Sequence, residues 1–261
     1  MGALTVDGLA RRDRLLILSM LAGIALLSWV YLFRMARMPG CRLSSMHALS
    51  STWPPAYFWM TFAMWTIMMA AMMIPSATPM MLIFARVNQR RAQTDTAAIP
   101  TGLFFTGYLL TWAGFSLLST FLQWGLHAMA MLSPVSLKVG PALGGALFLA
   151  AGVYQWTPMK AACLRRCAAP LDFLLGEWRD GKRGALVMGL RYGMFCLGCC
   201  IFLMALLFAA GVMNLLWVAA LAGVVLLEKV LPPTHWIGRG FGAACIAAGL
   251  RLIIAGTGLL T

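Results

Sequence analysis

Long apolar runs separated by short charged clusters organise this chain. The runs occupy residues 15–33, 57–84, 101–126, 141–157, 185–210, 214–231 and 236–257. Most approach or exceed the ~20 residues that a helix needs to cross hydrocarbon, and the alternation of membrane β-strands is absent. The pattern predicts an all-α membrane protein, a bundle of about seven transmembrane helices. Run 57–84 contains Pro75 and Pro79. Each removes an internal hydrogen bond and crowds the preceding turn, so this helix is expected to be proline-kinked or broken. Run 141–157 is short, and is expected to tilt or to extend toward Pro158. No repeat or low-complexity tract divides the sequence, so residues 1–261 read as a single integral membrane domain.

Charge refines the topology. Only 10% of residues are charged, against roughly 25% in a soluble domain. Mean hydropathy is +0.85 and the formal net charge is +13. With the N-terminus cytoplasmic, 14 of the 20 basic residues fall in cytoplasmic segments and 4 on the opposite side, with Arg191 and Arg251 inside spans. Lys and Arg concentrate in cytoplasmic loops, so the excess reads as topology. Basic patches interleaved with aromatics, which would bind single-stranded nucleic acid, are missing. The lipid bilayer is the partner the charge pattern implies, and nucleic acid is excluded. Arg11, Arg12 and Arg14 precede the first run, which lacks a small-x-small cleavage pattern and reads as a retained span.

Sulfur is the chemistry that stands out. Cys196, Cys199 and Cys200 sit inside the fifth run at i, i+3 and i+4, on one helical face. Met188, Tyr192 and Met204 extend that face. In the second run Met60, Met64, Met68 and Met72 follow at i+4 steps, with Met69 and Met73 beside them. Thiolate and thioether suit soft Cu(I), although methionine is also an adaptable packing residue. At ~1.5 Å per residue, Met72 lies about 21 Å from Arg86, and Cys196 and Cys199 about 18 and 22 Å from Gly184. The two groups fall at similar depth and meet if their helices are neighbours. Cys163 and Cys167, four apart, form a third group in the connection 158–184, expected at the cytoplasmic interface. Lys160, Arg165 and Arg166 nearby would favour thiolates for ligation or exchange. Met35, Met38, Cys41, Met46 and His47 form a looser soft set after the first run.

Ionisable residues inside a bilayer are costly and usually paired. Arg191 and Glu228 are expected to form a structural ion pair, and Lys229 to snorkel. No nucleotide-binding loop, hydrolase elbow or catalytic triad occurs, so no catalytic residue is assigned.

The blocks Met68-Met-Ala-Ala-Met-Met-Ile-Pro-Ser-Ala-Thr-Pro-Met80, Tyr154-Gln-Trp-Thr-Pro-Met-Lys-Ala-Ala-Cys-Leu-Arg-Arg-Cys167 and Gly189-Leu-Arg-Tyr-Gly-Met-Phe-Cys-Leu-Gly-Cys-Cys200 resemble a bacterial family. It is domain of unknown function 2182, described as "predicted metal-binding integral membrane protein". Gly211-Val-Met-Asn-Leu-Leu-Trp217 and Leu227-Glu-Lys229 extend the resemblance. It implies a multi-pass protein of the bacterial inner membrane. The carried-over metal positions are Met68, Met69, Met72, Met73, Cys163, Cys167, Cys196, Cys199 and Cys200. The family pattern places His where this chain has Arg166 and Tyr192, so a mixed Cys/His zinc site gives way to an all-sulfur one suited to Cu(I).

The leading reading is therefore Cu(I) handling, transport or delivery, with a metal donor or acceptor protein or a larger membrane complex as partner. Two readings compete with it. Cys196-Leu-Gly-Cys199 is formally the pair of a membrane thiol oxidoreductase. The cysteines also suit a non-catalytic subunit or assembly factor in which they only pack.

Overall fold

A computed structural model describes residues 11–37, 54–92, 98–132, 138–212, 214–231 and 235–256. Met38, Cys41, Met46 and His47 of the looser soft set lie outside them. The described residues form nine helices: α1 (Arg11–Arg37), α2 (Pro55–Ala92), α3 (Ala98–Ala128), α4 (Pro141–Tyr154), α5 (Pro158–Ala168), α6 (Pro170–Glu177), α7 (Gly181–Ala210), α8 (Leu215–Val230) and α9 (His235–Gly256). Among these residues no strand occurs beyond a single Leu132–Val139 bridge. Five helices, α1, α2, α3, α7 and α9, are long and apolar enough to cross a membrane. The run 214–231 becomes α8, a helix of 16 residues.

Helix boundaries follow local chemistry. Pro55, Pro141, Pro158 and Pro170 open helices, where proline's missing N–H costs nothing. Thr157 caps α5 by accepting from the Lys160 N–H, and Gly211, at φ 98°, ends α7 in a conformation that favours glycine. α2 is not broken by Pro75 and Pro79 but runs unbroken through both. The two prolines withdraw donors from the carbonyls of Ala71 and Pro75. Between them Ser76 and Thr78 hydroxyls donate to the carbonyls of Met73 and Ile74, at 3.0 Å each.

α7 is the central helix. α3 packs closely along it because Gly189 has no side chain: a Cβ there would stand 2.0 Å from the Phe104 carbonyl oxygen. On another side of α7 the run 141–157 does not continue as one helix. α4 ends at Tyr154 and α5 restarts at Pro158. Both halves run antiparallel to α7: Val139 N–H donates to Phe208 O, Tyr154 hydroxyl to Gly198 O, and Tyr192 hydroxyl to Cys167 O. The segment expected to start an interfacial loop is thus folded into the bundle as the second half of a discontinuous helix. Such breaks are tolerated where protein groups cover the freed backbone.

Candidate metal centre

The centre is built where α7, α5, α8, α3 and α2 converge. Cys196, Cys199 and Cys200 lie near the middle of α7 and are almost wholly buried. Cys199 and Cys200 thiols donate to the Cys196 carbonyl at 3.0 and 2.9 Å, the usual fate of a thiol one turn along an apolar helix. From α5, the buried Cys167 thiol adjoins those of Cys196 and Cys199. Cys163 lies against Gly198, where a Cβ would stand 2.9 Å from its Sγ. Gly198 therefore admits the α5 thiols to the α7 face. Five cysteines from two segments come together, all with free thiols.

The methionine helix reaches this centre through two polar side chains that sequence reasoning did not assign. Lys229 Nζ, from α8, donates to Ser76 Oγ of α2 and Cys196 Sγ of α7, at 3.0 Å each. Tyr108 hydroxyl, from α3, bridges the Met73 carbonyl and Cys196 Sγ, at 3.3 Å each. The rings of Trp65 and Phe208, 5.1 Å apart, stack between the same two helices. The level of Met73 and Ser76 thus matches that of Cys196, within two residues of the match that depth counting from Arg86 and Gly184 gave. Met69, Met72 and Met73, and also Met80, lie at −7, −4, −3 and +4 from Ser76 and share its buried face. Met68 turns elsewhere, lining a small groove with Leu32, Met35 and Val218.

Two expectations are corrected. Arg191 and Glu228 do not pair. Arg191 bonds Glu177 of α6, while Glu228 takes Lys160 Nζ on both carboxylate oxygens at 2.7 Å. The break after α4 brings Lys160 into the bundle, where Glu228 and Gln155 surround its ammonium. Lys229 does not snorkel; it is 7% exposed and its ammonium points inward. Of the cations expected to favour the Cys163 and Cys167 thiolates, Arg166 acts in that sense on Cys163, while also lying over the Phe195 ring and beside Glu177. Lys160 is held by Glu228. The cation at the Cys196 thiol is Lys229. Its sequence signal was a charge in an apolar run, while Tyr108 and Ser76 gave none.

The chain matches the model of a known protein family, PpoB2, described as a copper chaperone, over residues 62–252. The chain belongs to that family. No curated protein and no solved structure matches it. The PpoB2 match spans α2 to α9 and so takes in every residue of the centre. It is a metal- and copper-related family, which agrees with the coarse implication of the resemblance drawn from sequence.

Copper, as cargo, fits this donor set. Thiols and thioethers surround the locus, with no imidazole among the groups described there, and soft ligands select Cu(I). As the side chains stand, no three His, Cys, Asp or Glu among the described residues are arranged to hold a metal ion. The Cys199 and Cys200 thiols face the helix backbone, so ligation requires them to rotate away from the Cys196 carbonyl.

Proposed function

We propose that this chain handles copper within a membrane, holding Cu(I) on cysteine sulfur inside a bundle of about seven transmembrane helices. The observation that carries the reading is the gathering of Cys163 and Cys167 with Cys196, Cys199 and Cys200 at one buried locus, in a chain of copper-chaperone family. Cys196, Cys199 and Cys200 supply the holding thiolates. Each Cu–S bond displaces a thiol proton, and copper keeps its oxidation state throughout. Cys167 and the half-buried Cys163 pass the ion to or from a donor or acceptor protein. Met69, Met72 and Met73 add thioether donors, with Met68 on the neighbouring groove. The domain is a single unit of the bacterial inner membrane with its N-terminus cytoplasmic.

Zinc is the weaker fit because the imidazoles of a mixed site are missing at Arg166 and Tyr192. The oxidoreductase reading fares worse as well. Both sulfurs of Cys196-Leu-Gly-Cys199 are buried, and thiol exchange needs access to an external partner.

Purified protein loaded anaerobically with Cu(I) tests the reading. Wild type retains copper through gel filtration, and a Cys196/Cys199/Cys200→Ser variant retains little or none. A Cys163/Cys167→Ser variant keeps its copper but releases it more slowly to a soluble chelator. Equal retention in wild type and the triple variant overturns the assignment.

A further inference from the structure

Lys229 is buried next to a carboxylate it does not use. Its neighbour Glu228 is committed to Lys160, and the ammonium of Lys229 rests on a neutral hydroxyl and the Cys196 thiol. Among the described residues it has no carboxylate partner. A buried cation is costly unless an opposite charge meets it. The ionisable groups that act on it most strongly are sulfur and phenol: Cys196 and Tyr108, with Cys199 and Tyr192 close by. An occupied thiolate centre supplies the missing negative charge.

We propose that Lys229 sets the charge of the cargo, making the cysteine centre selective for a monovalent over a divalent metal. The proposal rests on the copper reading above. On the same set of thiolates, Zn(II) leaves the loaded centre one unit more positive than Cu(I) does, beside an ammonium that is already positive. Each thiolate forms by breaking one S–H bond and releasing one proton, with either metal and with no electron transfer. The ammonium's attraction for the thiolates is common to both metals and cancels in their ratio. Its repulsion of the metal does not cancel, because it doubles from a singly to a doubly charged ion. A metal on Cys196 lies within about 5 Å of the ammonium, given Zn–S and Cu–S bonds near 2.3 Å. At an effective dielectric near 20, one unit charge at that distance changes an affinity ratio roughly a hundredfold. Ser76 holds the ammonium in place from α2, which gives the Met helix a positioning part in the same device.

The test measures Cu(I) and Zn(II) affinities by chelator competition on the full chain in detergent, for wild type, K229M, K229Q and K229R. Wild type is expected to prefer Cu(I) strongly. The neutral variants lose roughly a hundredfold of that preference, and K229R, which keeps the charge, stays near wild type. K229Q stands in where K229M fails to assemble, and S76A provides a charge-retaining variant with an unanchored ammonium and a smaller loss. An unchanged Cu(I)/Zn(II) ratio in a folded neutral variant overturns the proposal while leaving the copper centre standing. Loss of the same preference in K229R overturns it too, since size would then matter and charge would not. Copper binding that survives Cys196/Cys199/Cys200→Ser refutes the underlying copper reading instead.

Discussion

Lys160 and Lys229 are buried alike, at 3% and 7% exposure, and meet opposite surroundings. Lys160 faces the two oxygens of Glu228 and the side-chain oxygen of Gln155. Lys229 faces a hydroxyl and a thiol. One helix provides both arrangements, because Glu228 and Lys229 are successive residues of α8 and point about 100° apart. Glu228 looks to the break between α4 and α5, and Lys229 looks to α2 and α7. A charge buried with its opposite is already satisfied and holds architecture together: the Lys160–Glu228 pair ties the restart of the discontinuous helix to α8. A charge buried beside sulfur leaves a demand that ligation answers, which is the basis of the role proposed for Lys229.

The largest effect is expected from making Lys160 resemble Lys229. E228Q removes the carboxylate and leaves a buried ammonium with amide partners only. Removing one member of a buried pair costs about 3–5 kcal/mol. The variant should therefore melt well below wild type in detergent, and E228Q should lose α5 packing before α3 packing. Replacing both members, as in K160M/E228L, should recover most of that loss, because apolar isosteres of a buried pair are often neutral. An E228Q that melts with wild type would show that the pair does not brace the break, and the contrast between the two lysines would lose its structural half.

That contrast also marks what the sequence made legible. Hydrophobic runs against charged clusters gave away the helices, because the bilayer length requirement is a one-dimensional property. The fivefold cysteine set was visible only as two separate groups. Lys160, Arg165 and Arg166 made 158–168 read as a loop, since polar clusters between apolar runs usually are loops. What folds the segment inward is Gly198, which leaves room for Cys163, and Glu228, which accepts Lys160 from the far side of the sequence. Neither partner is encoded near the segment it holds. Depth counting placed the methionines and cysteines at one level to within a turn, yet it carried no information on which helices are neighbours. Tyr108 and Ser76 gave no signal because a hydroxyl in an apolar helix commonly satisfies its own backbone, as Thr66 does on the Phe62 carbonyl.

A smaller effect is expected from loosening the sulfur that Lys229 faces. Y108F removes the hydroxyl that joins the Met73 carbonyl to Cys196 Sγ and keeps the ring among Trp112 and Tyr192. Losing a buried hydrogen bond of this kind costs about 1 kcal/mol. Y108F should melt slightly below wild type and still bind copper through its cysteines, with Cu(I) affinity reduced by a few-fold because Cys196 is less firmly placed. A loss of copper as complete as in the triple cysteine variant would make the phenol itself part of the binding set and would displace Lys229 as the main polar partner of Cys196.

The smallest effect separates the two sulfur populations. Met72 and Met73 lie one turn before Ser76 on α2, and both are fully buried, so their thioethers serve packing as well as any ligation. M72L/M73L keeps volume and apolarity, and such swaps usually cost under about 1.5 kcal/mol. The double variant should melt close to wild type and weaken Cu(I) retention only slightly, since thiolates bind the ion more strongly than neutral thioethers do. Selectivity against Zn(II) should stay intact, because neither methionine carries charge and Lys229 keeps its anchor on Ser76. If M72L/M73L abolishes copper binding while Cys199→Ser does not, the holding site moves from α7 to α2. The lysine would then face an empty thiol, and the proposed division between an architectural and a ligand-facing charge would fail at its second member.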